Sequence, residues 1–207
     1  MTSSGQLSLF GGKSPAFDAT FAHVQRVELA GDAWFELVPS WLERHDEVLR
    51  ALVDGVRWRQ ESREMYERVV EVPRLIAVLP ADGPGHALIE PMRSALSQRY
   101  GEAFERVGLA YYRDGNDSVA WHGDYVARNM SHALVATVSV GARRRFLLRP
   151  KGGGSSLRLL LGEGDLLVMG GTCQRTWQHC VPKVASAAER VSIMFRPTWV
   201  GADARYG

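Results

Sequence analysis

His122-Gly123-Asp124 sets an imidazole and a carboxylate two residues apart, and at a strand end that spacing sends both side chains to one side of the backbone. A His-x-Asp pair alone is weak evidence, because composition by itself yields such pairs, and the competing role for a lone histidine such as His179 is a core residue bonded to a carbonyl. His179 supplies a third ligand type on a later predicted strand, far enough along the chain for intervening strands to return it to the same pocket. Two imidazoles and one carboxylate form a facial set that leaves three coordination positions open on a metal ion, the arrangement suited to oxygen chemistry at iron.

Beyond His179 runs Arg190-Val191-Ser192-Ile193-Met194-Phe195-Arg196, in which both arginines, Ser192 and Met194 share one face of a strand. Two guanidinium groups turned into a β-structure need anionic partners, since buried and unpaired they are costly. A dicarboxylate such as 2-oxoglutarate meets that need: guanidinium forks bind carboxylates bidentately, and a keto acid chelates iron.

The elements that must position these residues are short. From residue 105 on, β-type runs alternate with turn residues at 107–113, 119–122, 133–140, 143–149, 156–161, 165–169, 175–181 and 190–196, which suggests a jelly roll or a barrel. Before them, Ser40 with Glu43 reads as a capping box opening a helix that ends at Gly55, with Trp41, Leu42, Val48, Leu49, Leu52 and Val53 at helical spacing. A second helix is expected from about His86 to Tyr100, closed by Gly101, with Pro91 in its first turn. The run Gly152-Gly153-Gly154 reads as a hairpin tip and not a phosphate loop, since no strand-to-helix switch follows it.

At 207 residues, 45% hydrophobic and 23% charged, with a formal charge of +2, the chain has the composition of one globular domain, and net charge predicts no nucleic-acid partner. The charge is uneven, however: Arg143, Arg144, Arg145, Arg149, Lys151 and Arg158 gather on one predicted hairpin, as a phosphate-binding patch or a solvated strand face. Cys173 and Cys180 fit neither a disulfide framework nor a zinc site and are expected as buried thiols. No secretory signal or long apolar run is visible, so a cytoplasmic location is expected.

The stretch from Tyr111 to Arg196 resembles the catalytic core of AlkB-family Fe(II)/2-oxoglutarate-dependent dioxygenases, which repair alkylated nucleic acids. The matching pieces are Tyr112-Arg113-Asp114-Gly115, His122-Gly123-Asp124, Arg144-Arg145-Phe146, Gly164 through Met169, His179-Cys180-Val181-Pro182 and Arg190 through Arg196, in the family's order. The resemblance implies an α+β fold: a double-stranded β-helix (jelly roll) core with N-terminal helices and a nucleotide-recognition lid. It makes His122, Asp124 and His179 the catalytic Fe(II) ligands, and it assigns Tyr112, Arg190, Ser192 and Arg196 to the cosubstrate 2-oxoglutarate. It also implies oxidation of an N-methyl carbon on a base such as 1-methyladenine or 3-methylcytosine, coupled to 2-oxoglutarate decarboxylation, with the methyl group leaving as formaldehyde. The base would be flipped out of the stack to reach the metal.

The lid is expected over Arg57–Leu75, with Trp58, Tyr66, Arg74 and His122 contacting the base; ordinary packing is the competing role for Trp58 and Tyr66. Trp121 and Trp177 are expected in the core. The sequence departs from the family at Ala110, where many members carry Asn, at Val126 and Ala127, where acidic residues often read the base, and at Val78-Leu79. Near the N-terminus, Gln6-Leu7-Ser8-Leu9-Phe10 resembles the peptide with which bacterial DNA-handling proteins dock on the replicative sliding clamp, which makes Gln6, Leu7, Leu9 and Phe10 candidate partner contacts. The expected organisation is a tail over 1–18, an extension with helices and lid over 19–104, the jelly-roll core over 105–200 and a short tail over 201–207, acting as a monomer on DNA or RNA. The alternatives are the same iron chemistry on tRNA, protein or a small metabolite, or a clamp- or DNA-binding module without turnover.

Overall fold

A computed structural model describes residues 14–65, 68–80, 87–124 and 132–198. In chain order it contains β1 (Gln25–Glu28), β2 (Ala33–Val38), α1 (His45–Gly55), β3 (Arg59–Met65), β4 (Arg68–Leu79), α2 (Ile89–Tyr100), β5 (Arg106–Tyr112) and β6 (Val119–His122). There follow β7 (Val135–Gly141), β8 (Arg144–Pro150), β9 (Leu157–Leu161), β10 (Asp165–Gly171), α3 (Cys173–Thr176), β11 (Trp177–Val181) and β12 (Arg190–Arg196). Two sheets face each other, one of eight strands in the order β1-β2-β10-β7-β12-β5-β4-β3 and one of four in the order β6-β11-β8-β9. This is the expected jelly-roll core.

The larger sheet is covered on both faces, and its central strands read accordingly as unbroken buried runs. On its outer face Val138, Val140, Leu166, Val168, Val191, Ile193 and Phe195 meet Val48 and Leu52 of α1 and Met92 and Leu96 of α2. Its inner face sends Ala110, Tyr112, Leu167 and Met169 toward Phe146, Leu148 and Trp177 of the smaller sheet and its approach. Period-two alternation thus divides each central strand between a structural core and an inter-sheet space.

Four strands, β1 to β4, extend the larger sheet from both edges, so residues 25–79 are continuous with the core and are not a separate extension. The lid segment is the β3–β4 hairpin, added to the sheet edge through β4 and β5 with Leu75 opposite Tyr111. β1 and β2 were not anticipated. Phe17 and Asp18, assigned to the tail, already belong to the body: Phe17 bridges to Leu42 and packs 4.8 Å from the Trp41 ring.

The capping box does not form. Ser40 has a left-handed backbone (φ 49°) and its N–H donates to Asp165 Oδ1 at 2.9 Å, so α1 begins at His45, with Arg44 and not Ser40 at its N-cap. Pairing of residues 16–18 with 41–43 overrides the local signal. Pro91 is the third residue of α2, where no intrahelical donor is lost, and Gly101 closes that helix in the left-handed region.

Candidate active site

Between the sheets lies a cavity of about 260 Å³, lined by β4, β5, β7, β10 and β12 from one side and β6, β8 and β11 from the other. Every expected cosubstrate residue lines it (Tyr112, Arg190, Ser192 and Arg196), as do His122, Asp124, His179 and Arg74.

His122 and His179 are direct cross-strand partners on β6 and β11, with ring centroids 4.3 Å apart, and the Phe146 ring stacks on His179 at 5.1 Å. Residues far apart in sequence meet here because a single antiparallel register brings them opposite each other. The Nδ1–H of His122 donates to Ala120 O at 2.8 Å, which leaves Nε2 as the lone-pair nitrogen. His179 is half-buried in the cavity wall; burial, ahead of repulsion from His122, Arg196 and Arg74, holds its pKa well below the usual imidazole value, in the neutral form that binds metals.

Asp124 points its Oδ2 at Arg196 Nε, 2.5 Å away, and its backbone N–H donates to Gln174 Oε1 at 3.0 Å. Among the described residues no three His, Cys, Asp or Glu side chains are gathered tightly enough to hold a metal as they stand. Coordination by all three ligands therefore requires side chains to rearrange, and Asp124, whose Oδ2 engages Arg196, has a second carboxylate oxygen to offer. The donor set itself, two neutral imidazoles and a carboxylate facing one cavity, suits Fe(II).

The inner end belongs to Arg190. It is 1% exposed, Nη2 donates to Ser139 Oγ at 2.7 Å, and Nε and Nη1 are buried with no hydrogen-bond partner. Burial pulls its pKa down, yet a guanidinium stays charged, so a buried cation with two unmet donors faces the cavity. Its carbon lies 5.2 Å from the centre of the Tyr112 ring, and Arg74 Nη1 approaches the Tyr112 hydroxyl at 3.5 Å. Arg59 and Arg106 also line the cavity, where Asp124 is the sole carboxylate among the described residues. This arrangement favours an anionic ligand and answers, in chemistry, to a dicarboxylate beside a metal.

Some expectations hold and others need correction. Trp58 is absent from the cavity lining: its ring packs 5.1 Å from Tyr111 against the core, and its Nε1–H donates to Val53 O. Arg144 of the basic hairpin is 2% exposed and so is not offered to phosphate, whereas Arg143 is exposed and pairs with Glu163 at 2.8 Å. Trp177 is buried, whereas Trp121 is half-buried beneath the Arg149 guanidinium, 3.9 Å from its ring centre. Cys173 and Cys180 are buried thiols, and burial pushes Cys173 up to about 12. Tyr66, Val126, Ala127 and residues 6–10 lie outside the described residues. The sequence reading missed Arg59, Arg106, Ser139 and Gln174; no periodicity marks them, because each becomes functional only through a cross-strand or inter-sheet neighbour.

Comparison with known proteins agrees with this geometry. The model of the 2OG-Fe(II) oxygenase superfamily matches residues 87–196. Alpha-ketoglutarate-dependent dioxygenase alkB homolog 3 is 30% identical in Rattus norvegicus, over 76% of this chain and 61% of that protein, and 27% identical in Homo sapiens, over 74% and 62%. DNA oxidative demethylase ALKBH2 of Arabidopsis thaliana is 31% identical over 51% of this chain and 43% of its own. The chain thus spans about three fifths of the length of the alkB homolog 3 proteins. In fold it is similar to OsALKBH1 (TM-score 0.56, 16% identity, 84% of this chain and 100% of that one). It is similar also to a prolyl hydroxylase from Trichoplax adhaerens in complex with a hypoxia inducible factor peptide fragment (TM-score 0.58, 16% identity, 79% and 82%). Because the matched segment carries every strand of the smaller sheet and both arginines of β12, the chain belongs to the 2OG-Fe(II) oxygenase superfamily, whose membership implies Fe(II) and 2-oxoglutarate.

Proposed function

We propose that the chain is an AlkB-type oxidative demethylase acting on N-alkylated bases such as 1-methyladenine and 3-methylcytosine in DNA. The observation that carries this reading is Arg190: a buried guanidinium with two unmet donors, at the inner end of a cavity whose wall holds His122, Asp124 and His179. Fe(II) would be held by His122, Asp124 and His179; with 2-oxoglutarate it supplies the oxidising power that protein side chains lack. Arg190 fixes one carboxylate of the dicarboxylate, with Tyr112 beside it and Ser192 on the same strand face. Arg196 holds Asp124 and faces the other end of the cosubstrate. His179, kept neutral by burial, stays available as a ligand.

Five arginines and one carboxylate among the described residues line the cavity, a balance that suits the anionic cosubstrate. The β3–β4 hairpin lines the cavity with Arg59 and Arg74. Relatives named as dioxygenase alkB homolog 3 and DNA oxidative demethylase support the nucleic-acid reading. The test is anaerobic loading with Fe(II) and 2-oxoglutarate, then air and oligonucleotides carrying 1-methyladenine or 3-methylcytosine, with mass spectrometry of the bases. Methyl loss dependent on iron, 2-oxoglutarate and His122 supports the reading; succinate formed without methyl loss overturns the substrate. For Gln6, Leu7, Leu9 and Phe10 we propose sliding-clamp docking; unchanged clamp binding after deletion of residues 1–12 refutes it.

A further inference from the structure

Arg144 is among the largest fully buried side chains, 2% exposed, and yet it does not line the cavity. It projects from β8 behind the cavity wall. Its Nη1 donates to Asp114 O at 2.8 Å, and its Nη2 donates to Asp117 O at 2.8 Å and to Pro182 O at 3.0 Å. Three carbonyls accept from its two terminal nitrogens while its Nε has no partner, and those carbonyls belong to two loops.

Each loop leads from one site residue to the next. The first joins Tyr112 on β5 to His122 on β6; the second joins His179 on β11 to Arg190 on β12. They are also stitched to each other, because Val184 N–H donates to Gly115 O at 2.9 Å and a Cβ on Gly115 would stand 2.4 Å from Val184 O. The first loop is tied in addition to the hairpin that carries Arg74, since Ser118 N–H donates to Pro73 O at 2.7 Å. The Arg144 and Arg190 guanidinium carbons lie 5.7 and 5.2 Å from the Tyr112 ring centre.

We propose that Arg144 is a positioning residue for the cosubstrate end of the cavity: by clamping the 113–118 and 182–184 loops together it fixes where Tyr112 and Arg190 stand, and so sets the affinity for 2-oxoglutarate. The inference rests on the oxygenase reading. Only a planar fork with several donors reaches carbonyls on both loops at once; a lysine ammonium is a single point and releases one loop.

The test uses the full chain loaded with Fe(II) under anaerobic conditions and titrated with 2-oxoglutarate, following the visible charge-transfer band of the complex. Amide exchange over 113–118 and 182–184 is read by mass spectrometry in parallel. Arg144→Lys is expected to raise the Kd about 10–100-fold, the range seen when groups that orient ligating residues are removed, with exchange protection lost in both loops. At saturating 2-oxoglutarate, kcat is expected to stay within a few-fold, as a positioning role requires. Gly115→Ala attacks the same clamp from the loop side and decides the matter if Arg144→Lys does not fold. Arg145→Gln, on the exposed face of the same strand, should leave the Kd unchanged. A folded Arg144→Lys that loses thermal stability but binds 2-oxoglutarate like the parent overturns the proposal. Failure of the parent itself to bind 2-oxoglutarate overturns the oxygenase reading and this inference with it; the first failure appears only in the variant, the second already in the parent.

Discussion

Two buried charges in this molecule are treated in opposite ways. Glu36, on β2 and 6% exposed, is surrounded by donors: the Tyr100 hydroxyl at 2.7 Å, Arg26 Nη1 at 3.2 Å and Arg99 Nη2 at 3.3 Å. Arg190, 1% exposed, has one serine hydroxyl and two donors with no partner. The first group is complete within the chain and ties β1, β2 and α2 together. The second is complete only when something else enters. Burial alone therefore does not separate structure from function; the balance of donors and acceptors around the buried group does.

The comparison breaks most visibly at Arg190. Arg190→Met removes a buried charge whose partner is the ligand, so the 2-oxoglutarate affinity should fall by roughly 2–5 kcal/mol in a calorimetric titration. The ligand-free variant should melt no lower than the parent, since an apolar side chain of similar volume replaces an unpaired buried cation. A melting point well below the parent's would show that Arg190 is structural after all.

Glu36→Gln should do the reverse. Loss of the charge leaves three donors poorly matched and should cost about 1–3 kcal/mol in chemical denaturation, with the 2-oxoglutarate Kd unchanged. A shifted Kd would mean that the two regions are coupled.

The same carboxylate predicts an acid limb. Burial pushes the Glu36 pKa up, but the hydrogen bonds from Tyr100, Arg99 and Arg26 outweigh it and hold the group below its ordinary 4.5. Between the folded pKa and 4.5 the unfolded chain binds more protons, so stability rises with pH there. The contribution is complete above 4.5 and disappears as pH falls through the folded pKa. Melting curves recorded across that range should show this slope in the parent and a flatter one in Glu36→Gln; equal slopes would remove Glu36 from the account.

The smallest effect belongs to the mouth. Arg59 is exposed, and Arg59→Ala should weaken oligonucleotide binding by about 0–1 kcal/mol, less at higher salt, without altering 2-oxoglutarate binding. A salt-independent loss would place Arg59 inside the site instead.

The strands after residue 105 were legible because their alternation is strict: Val191, Ile193 and Phe195 are fully buried on one face of β12 while Arg190, Ser192, Met194 and Arg196 line the cavity from the other. β1 was not legible, since all four of its residues are exposed and it carries no periodic signal. The start of α1 was misread because Ser40 and Glu43 satisfy a local rule that pairing with residues 16–18 overrides. Trp58 was misplaced for a similar reason: its sequence neighbours do not reveal that Tyr111 lies beneath it.

By itself, the sequence determined the chemistry. Residue types fix which atoms can ligate iron or grip a carboxylate, and strand periodicity fixes which of them share a face. Tertiary structure alone decided which of those groups lack partners. Whether Arg144 is a surface cation or a buried clamp, and whether Arg190 is satisfied or waiting, depends on which carbonyls and hydroxyls arrive from strands distant in sequence. Hydrogen bonds reach about 3 Å, and a linear sequence carries no information at that range except through the register of its sheets.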